Sequence, residues 1–357
     1  MWWMWVVACT GGGAGAPDEP IDPVAWSEAE GPWRVGYRVS SVTYDAPAGT
    51  GERALRLALW YPTEAEQGRE PRYLGLFSAP GVLDAPPAAP GPFPVVVFSH
   101  GHQGYAESVG NLMAFFASRG WVVAAPDHTG NTSFDGADRD TEIYFQRPAD
   151  ISAVLDHVLG GGEPDLPAVE PRVLGIGHSF GGYTMLALAG AAWDVDGLEV
   201  TCAAGGSGIC STWSEAYADQ FRLGAWEDRI SGVVLLAGGD FDRFGAAGIG
   251  QIEVPVEQMT GGLDHGNADD RDRLWDALPA PAWRAHTEHG GHQAWTDYAG
   301  VAGVDTDPGV LDGDRSRRIG HVYAAAFAEH VLGAGLADAV LRGEVEVDDD
   351  VVVSVRE

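Results

Sequence analysis

The chain has 357 residues, of which 45% are hydrophobic and 20% are charged, a composition typical of a folded globular protein. Its formal net charge is -31 and it contains no lysine, so all 21 basic residues are arginines. Binding to nucleic acid requires a basic surface that neutralises phosphates, so we expect no nucleic-acid partner. The sequence also has no run of about twenty apolar residues that would span a bilayer as a helix.

The first residues, MWWMWVVAC, form an apolar run that ends in small residues and Cys9. This pattern resembles the site at which bacterial lipoprotein precursors are cleaved and acylated, although the run is short and no basic residue precedes it. We expect residues 1–24 to be a lipoprotein signal and flexible tether, and residues 25–357 to be one catalytic domain. The protein is then exported, either anchored to a membrane through lipidated Cys9 or secreted; without a signal it is cytoplasmic. In the exported case Cys202 and Cys210 can form a disulfide.

Strand and helix patterns alternate along the chain after Trp33. Two alternating segments between Trp33 and Pro62 predict antiparallel strands, and the continuous apolar run at 93–98 predicts a strand covered on both faces. The other predicted elements are a helix over 108–119, a strand over 121–128, a helix over 147–159, a strand over 172–177, a helix over 183–192, strands over 230–239 and 252–262, and a helix over 318–332. This alternation predicts an α/β protein with a mostly parallel central sheet and helices on both faces.

One serine, Ser179, stands between two glycines in the segment RVLGIGHSFGGYTM. A G-x-S-x-G sequence between a strand and a helix predicts a turn so tight that side chains at Gly177 and Gly181 would collide with neighbouring backbone. The turn presents the serine at the carboxyl edge of the sheet, and the N–H of Phe180 is available there to a developing oxyanion. We therefore predict that Ser179 is a nucleophile.

A nucleophilic serine needs a base, and the base needs an acid to orient it. In this architecture the acid and then the histidine follow the serine along the chain. His286, His289 and His292 all lie late enough in the chain, and we favour His292 because Gly290-Gly291 is expected to form a mobile turn before it and an apolar-aromatic segment follows it. His289 stays an alternative.

Two aspartates are candidates for the acid. Asp264 directly follows the strand predicted over 252–262, and Asp240 follows the strand before it. We favour Asp264 and keep Asp240 as the alternative. Aspartates in glycine-rich loops also commonly stabilise turns, and this is the alternative, non-catalytic role for either residue.

The segment SHGHQG is expected to supply the second oxyanion donor, the N–H of His102, because Gly101 lets the backbone approach the substrate. We expect His100 to bind the loop backbone. The spacing His286-x-x-His289-x-x-His292 resembles a metal-ligand pattern, but a strand-to-loop segment with this spacing does not bring three rings to one point. We therefore expect no metal and no cofactor.

Together these segments resemble the α/β-hydrolase superfamily, and within it the group that contains platelet-activating-factor acetylhydrolase, dienelactone-hydrolase-like proteins and cutinase-like polyester hydrolases. The resemblance covers nearly all of the chain from Trp33 to about Leu341. It is carried by WRVGYRV, LWYP, VVVFSHGHQG, ASRGWVVAAPDHTGNT, RPADISAVLDHVL, GHSFGG and GGHQAWTD.

The resemblance implies Ser179 as nucleophile, His292 as base, Asp264 as acid and the N–H groups of His102 and Phe180 as oxyanion donors. The acetylhydrolase branch has its acid one strand earlier, closer to Asp240, whereas the other two branches match Asp264. Dienelactone hydrolases use a cysteine nucleophile, so Ser179 points away from that reaction.

The expected activity is hydrolysis of short-acyl or phospholipid-type carboxylic esters through an acyl-enzyme, on a small-molecule or lipid substrate. Three aromatic side chains, Trp213, Trp226 and Trp295, are candidates for lining the acyl site. The alternatives are an exported polyester or cutin-type hydrolase, and a hydrolase fold without activity that binds a ligand or partner. The sequence does not set the oligomeric state.

Overall fold

The computed structural model describes residues 22–74, 77–88, 91–136, 139–206, 208–333, 335 and 337–357. The predicted lipoprotein signal with Cys9 lies outside the described residues, apart from the last residues of the tether. The elements in chain order are α1 (Pro23–Glu28), β1 (Arg34–Asp45), β2 (Glu52–Thr63), β3 (Arg72–Tyr73), β4 (Phe77–Ser78), β5 (Val82–Leu83), β6 (Phe93–Ser99), α2 (Gly110–Ser118), β7 (Val122–Pro126), α3 (Thr141–Leu159), β8 (Val169–His178), α4 (Phe180–Leu188), α5 (Val195–Ala203), α6 (Ala218–Arg222), β9 (Ile230–Leu236), α7 (Phe241–Ile249), β10 (Val256–Gly261), α8 (Ala268–Ala277), β11 (Ala282–Thr287), α9 (Gly313–Leu332), α10 (Asp338–Leu341) and β12 (Val351–Arg356).

Ten strands form one sheet in the order β12-β11-β10-β9-β8-β6-β7-β2-β1-β5. The six central strands, from β11 to β7, are parallel, and β12 and β2 flank them in antiparallel orientation. β1 and β2 pair over their full lengths as the antiparallel strands that the sequence predicts, and the two-residue strand β5 pairs with β1 at the edge of the sheet. The mostly parallel α/β sheet is therefore confirmed.

Apolar side chains cover both faces of this sheet. Along β6, Val96 and Phe98 pack into one core cluster with α2 and α9, while Val95 and Val97 pack into the other with α3, α4 and α7. A strand that is buried on both faces has no polar face to alternate with, which explains the unbroken apolar run in the sequence. Within the described part of the chain, no helix has the length and apolar character needed to cross a membrane.

Helix α3 begins six residues before the predicted start at Arg147, because Asp140 caps it through the N–H of Ile143. Pro148 therefore lies inside the helix, where it has no N–H to donate to the carbonyl of Tyr144. The hydroxyl of Tyr183 on α4 donates to that carbonyl at 2.8 Å instead. A contact from another helix thus satisfies the carbonyl that the proline leaves without its helical bond.

Two features outside the central strands complete the fold. Cys202 and Cys210, whose pairing the sequence leaves open, form a disulfide that closes a loop with a sequence separation of 8. The sequence analysis gives no bounds for a strand at β11, before the predicted strand-to-loop segment, and assigns none to β12; these two strands form the other edge of the sheet. Because β11 pairs in parallel with β10, the carboxyl end of β11 and the loop after it lie beside the carboxyl end of β10.

Candidate active site

Ser179 occupies a strained turn between β8 and α4, with φ 54° and ψ -117°. A Cβ at Gly177 would lie 2.2 Å from the carbonyl oxygen of Gly181, and a Cβ at Gly181 would lie 1.8 Å from that of Ser99. Both glycines are therefore required by close backbone approach, as predicted. The turn holds the Ser179 hydroxyl at the carboxyl edge of the sheet.

His292 contacts both Ser179 and Asp264. Its Nε2 lies 3.0 Å from Ser179 Oγ, and its Nδ1 lies 3.1 Å from Asp264 Oδ2. The side chain of Asp264 is 4% exposed and that of His292 is 29% exposed, so the carboxylate is inside the protein and the imidazole reaches the surface. The structure thus brings together the three side chains that the sequence analysis favours.

Glycines allow the end of β10 and the loop after β11 to approach each other closely. A Cβ at Gly261 would lie 2.2 Å from the carbonyl oxygen of Gly290, and the N–H of Leu263 donates to that same oxygen at 3.0 Å. A Cβ at Gly291 would lie 2.4 Å from Oδ2 of Asp305. Gly290 and Gly291 are therefore packed against neighbouring groups, and the expected mobility of this turn stays a prediction.

The alternative residues have other partners. Asp240 lies 3.4 Å from the guanidinium of Arg243 at the start of α7. His289 Nδ1 lies 2.5 Å from Asp350 Oδ1. Asp240 thus pairs with Arg243 although it lies near Ser179, and His289 pairs with Asp350.

The remaining histidine of the H-x-x-H-x-x-H pattern is His286, whose Nδ1 lies 2.8 Å from the hydroxyl oxygen of Thr260. The three rings thus have three different sets of partners. Among the residues that the structure describes, no group of three or more histidine, cysteine or acidic side chains is arranged to hold a metal ion.

Two residues that the sequence analysis does not single out hold the base and the acid. Arg271 donates to the backbone carbonyls of Gly261 and Asp264 at 2.7 and 2.8 Å, and its guanidinium lies 3.5 Å from Asp264 Oδ2. Burial lowers the pKa of His178 to about 4, so this ring is neutral at pH 7. Its Nε2–H donates to the carbonyl of His292 at 3.0 Å, because a carbonyl can only accept.

The two predicted oxyanion donors both lie close to Ser179. Phe180 begins α4, and His102 lies in the loop that follows β6. A Cβ at Gly101 would lie 3.3 Å from the Cβ of Ser179, so the backbone of this loop passes directly beside the serine. His100 bonds the loop backbone, as predicted, through Gly101 O at 2.8 Å and the N–H of His128 at 3.0 Å.

Ser179 opens onto two clefts. The first, which we call the histidine cleft, has a volume of about 310 Å³ and is lined by His102, His292, Tyr298 and Val304 among others. The second, the charged cleft, has a volume of about 300 Å³. Its lining includes Phe180 and the four charged side chains Arg139, Asp240, Asp242 and Asp270.

The three tryptophans that are candidates for lining the acyl site lie elsewhere. Trp295 is buried in the core, where it contacts Gly320 of α9. Trp213 packs on Phe221 with ring centroids 5.5 Å apart. Trp226 is exposed and lines a separate surface cavity. None of the three lines either cleft at Ser179.

Comparisons with known proteins agree with this architecture. A family model for chlorophyllases matches residues 77–203, which include Ser179 and the loop after β6. Among solved structures, a ferulic acid esterase from Streptomyces cinnamoneus superposes with a TM-score of 0.66 over 90% of this chain and 96% of the esterase, at 21% sequence identity. No curated protein matches the chain. A structural likeness at this identity establishes the fold.

Proposed function

We propose that this chain, which has the α/β-hydrolase fold, is a metal-independent serine carboxylic-ester hydrolase. The observation that carries the proposal is the continuous series of contacts from Ser179 Oγ through His292 to Asp264. A serine hydroxyl becomes an effective nucleophile when an oriented base takes its proton. The similarity to a chlorophyllase family model and to a ferulic acid esterase supports an ester as the substrate.

In the acylation step, Ser179 Oγ attacks the ester carbonyl carbon and His292 Nε2 takes the hydroxyl proton. The Asp264 carboxylate accepts the hydrogen bond from Nδ1–H and stabilises the imidazolium that forms. The carbonyl oxygen becomes an oxyanion, and the backbone N–H groups of Phe180 and His102 donate to it. When the tetrahedral intermediate collapses, the bond to the alcohol oxygen breaks and the imidazolium gives this oxygen its proton.

Deacylation repeats the sequence with water. His292 Nε2 takes a proton from water as the water oxygen attacks the acyl carbon. The second tetrahedral intermediate then collapses, Ser179 Oγ regains a proton from His292, and the carboxylic acid leaves.

The position of His292 supports an assignment of the two clefts to the two parts of the substrate. His292 must reach the leaving oxygen, so the alcohol part of the substrate belongs in the histidine cleft, which this residue lines. The acyl part then extends into the charged cleft. An alkyl chain gains little from burial against charged side chains, so we propose short-acyl esters as the preferred substrates.

The nucleophile and its base are tested by labelling with a fluorophosphonate and by intact-protein mass spectrometry. We expect a single adduct on the wild type, no adduct on Ser179→Ala, and labelling at least 100-fold slower on His292→Ala. His289→Ala is the matched control, because this histidine bonds Asp350 away from Ser179. We expect it to label at the wild-type rate.

A folded wild type that forms no adduct would contradict the proposed activity. It would favour the alternative in which the fold binds a ligand or partner without catalysis. Labelling of Ser179→Ala would assign the nucleophile to another residue.

The acyl preference is tested with p-nitrophenyl esters that differ only in chain length. We expect kcat/KM for the acetate to exceed that for the octanoate by at least tenfold, because each added methylene meets a polar wall instead of an apolar one. Equal or greater activity on the octanoate would contradict the cleft assignment. Release of soluble product from a polyester film at a rate comparable to the acetate would favour the polyester hydrolase.

We further propose that the protein is exported. The Cys202–Cys210 disulfide supports this proposal, since such bonds persist in oxidising compartments. A diacylglyceryl mass on Cys9 after expression in a bacterial host would support the lipoprotein form, and a cytoplasmic protein with its N-terminus intact would contradict export.

A further inference from the structure

The segment RPADISAVLDHVL contains a buried arginine that the proposed reaction does not yet use. Arg147 on α3 is fully buried, with 0% of its surface exposed. Burying a guanidinium is costly unless its N–H groups are satisfied, so its partners indicate what the protein gains from it. Burial lowers the pKa of Arg147 to about 9, which leaves it protonated at neutral pH.

The guanidinium of Arg147 binds the end of β6 and the loop that follows it. Its Nη2 donates to the carbonyl of His100 and, at 3.0 Å, to Ser99 Oγ. Its Nη1 donates to Asn131 Oδ1 at 2.8 Å, and the Asn131 amide nitrogen donates in turn to Nδ1 of His102 at 3.0 Å. Arg147 is thus linked to the side chain of one oxyanion donor residue and to the backbone two residues before it.

The same guanidinium also contacts the start of α4. Its Nε donates to Thr184 Oγ1 at 3.2 Å, and its central carbon lies 4.6 Å from the centroid of the Phe180 ring. The hydroxyl of Thr184 donates to the carbonyl of Phe180 at 3.3 Å. One rigid, planar group therefore contacts both segments that carry the oxyanion donors.

A second Ser-His-Asp row anchors this arrangement from behind. His128 Nε2 lies 2.9 Å from Ser99 Oγ, and its Nδ1 lies 2.8 Å from Asp150 Oδ2. Burial lowers the pKa of His128, so the neutral ring donates from Nδ1–H and accepts from the Ser99 hydroxyl. All three residues have 0% exposure, so no ester can reach Ser99, and the row is structural in spite of its triad-like order.

We propose that Arg147 is a positioning residue that fixes the spacing between the N–H groups of His102 and Phe180. The inference rests on the proposed function, because it assigns Arg147 a role in stabilising the oxyanion of that reaction. The planar fork of an arginine can bind the His100 carbonyl, Asn131 and Thr184 at once, whereas a lysine ammonium cannot span them. Small displacements of oxyanion donors are costly because their stabilisation depends on fixed geometry.

The test compares Arg147→Met with Arg53→Met in steady-state hydrolysis of p-nitrophenyl acetate. Arg53 is the matched control, since it is another arginine of this region with a buried partner: its Nε and Nη2 bind Asp150, the acid of the second row, at 2.9 Å. Its other hydrogen bonds go to Gln146 and the carbonyl of Thr129. We expect Arg147→Met to lower kcat about 10- to 100-fold with KM within threefold, because the loss falls on the transition state. We expect kcat of Arg53→Met to stay within threefold of the wild type.

A second readout separates positioning from general loss of stability. An alkylboronic acid forms a tetrahedral adduct on Ser179 that uses the oxyanion donors, and we expect Arg147→Met to weaken its binding by about the same factor as kcat. Arg147→Lys, which keeps the charge without the fork, is expected to recover less than half of the lost activity on a logarithmic scale. A folded Arg147→Met with kcat and boronic acid affinity within threefold of the wild type would overturn the proposal.

Two milder variants decide the question if Arg147→Met does not fold. Thr184→Val removes the acceptor of Arg147 Nε with little change in shape, and Asn131→Ser removes the link to His102. A loss of at least threefold in both kcat and boronic acid affinity supports the proposal, and unchanged values for both variants overturn it. If the wild type neither hydrolyses the ester nor reacts with a fluorophosphonate, the proposed function itself fails.

Discussion

Glu257, in the middle of β10, has its carboxyl group in the protein core. The residue has 0% exposure, and within the described part of the chain neither carboxyl oxygen has a hydrogen-bond partner. Burial therefore raises the pKa of this carboxyl well above its ordinary value of 4.5. The folded protein therefore favours the protonated carboxyl of Glu257, and ionisation of this carboxyl favours unfolding.

This single residue predicts how stability depends on pH. Because the pKa in the folded protein is raised, the contribution of Glu257 is fully present below the unfolded pKa and is lost as pH rises toward the folded pKa. Each pH unit in that window removes up to about 1.4 kcal/mol from the free energy of unfolding. We expect Glu257→Gln, measured by urea unfolding, to be more stable than the wild type at pH 8 and to show a smaller advantage at pH 5.

The control for this measurement is Glu253→Gln, which changes an exposed carboxyl group four residues earlier. We expect its stability to follow the wild-type pH dependence. A Glu257→Gln protein that loses stability equally at pH 5 and pH 8 would show that this carboxyl is not protonated in the fold.

At the same scale, residues of the candidate site differ in how far they can be predicted from sequence. Ser179 can be identified because glycines two positions away on each side have a local steric cause. Asp264 and His292 can be proposed as acid and base because each lies in a loop that follows a strand. The choice of Asp264 instead of Asp240 as the acid depends on its contact with His292, which is seen only in the structure. Arg271 carries no local signal, since its contacts depend on where α8 packs.

Local signals also account for most of the elements. The central strands are readable from sequence because burial on both faces leaves unbroken apolar runs, as in β6. The start of α3 is missed because proline is common in the first turn of a helix, so Pro148 suggests a beginning at Arg147. The position of Pro148 inside α3 depends on the hydrogen bond from the Tyr183 hydroxyl to the Tyr144 carbonyl, which is a contact between α4 and α3.

The edge of the sheet illustrates the opposite case. β12 is a short run of valines, VVVSVR, that is only partly buried and pairs with β11 on one side. β11, AWRAHT, mixes apolar and polar residues without a clear boundary. Strand propensity at such an edge depends strongly on which strand lies beside it, so neither run indicates its pairing alone.

For the whole molecule, the dominant physical property is the excess of negative charge. The chain has 52 acidic residues and 21 arginines. Many arginines form ion pairs, and exposed pairs such as Arg273 with Asp242 and Arg222 with Asp196 contribute little to stability. The unpaired acidic groups repel one another more strongly in the compact state than in the unfolded chain.

Salt should therefore stabilise this protein at neutral pH. Raising NaCl from 10 mM to 0.3 M shortens the screening length from about 30 Å to less than 10 Å, which weakens repulsion across the molecule. We expect the free energy of unfolding in urea at pH 7 to rise by about 1 to 3 kcal/mol, because the surplus of acidic groups outweighs the screened ion pairs. The control is the same titration near the isoelectric point of about 4.4, where the net charge vanishes and the rise should disappear. An equal rise at both pH values would assign the effect to salt exclusion from the protein surface, and a fall at pH 7 would mean that the ion pairs dominate.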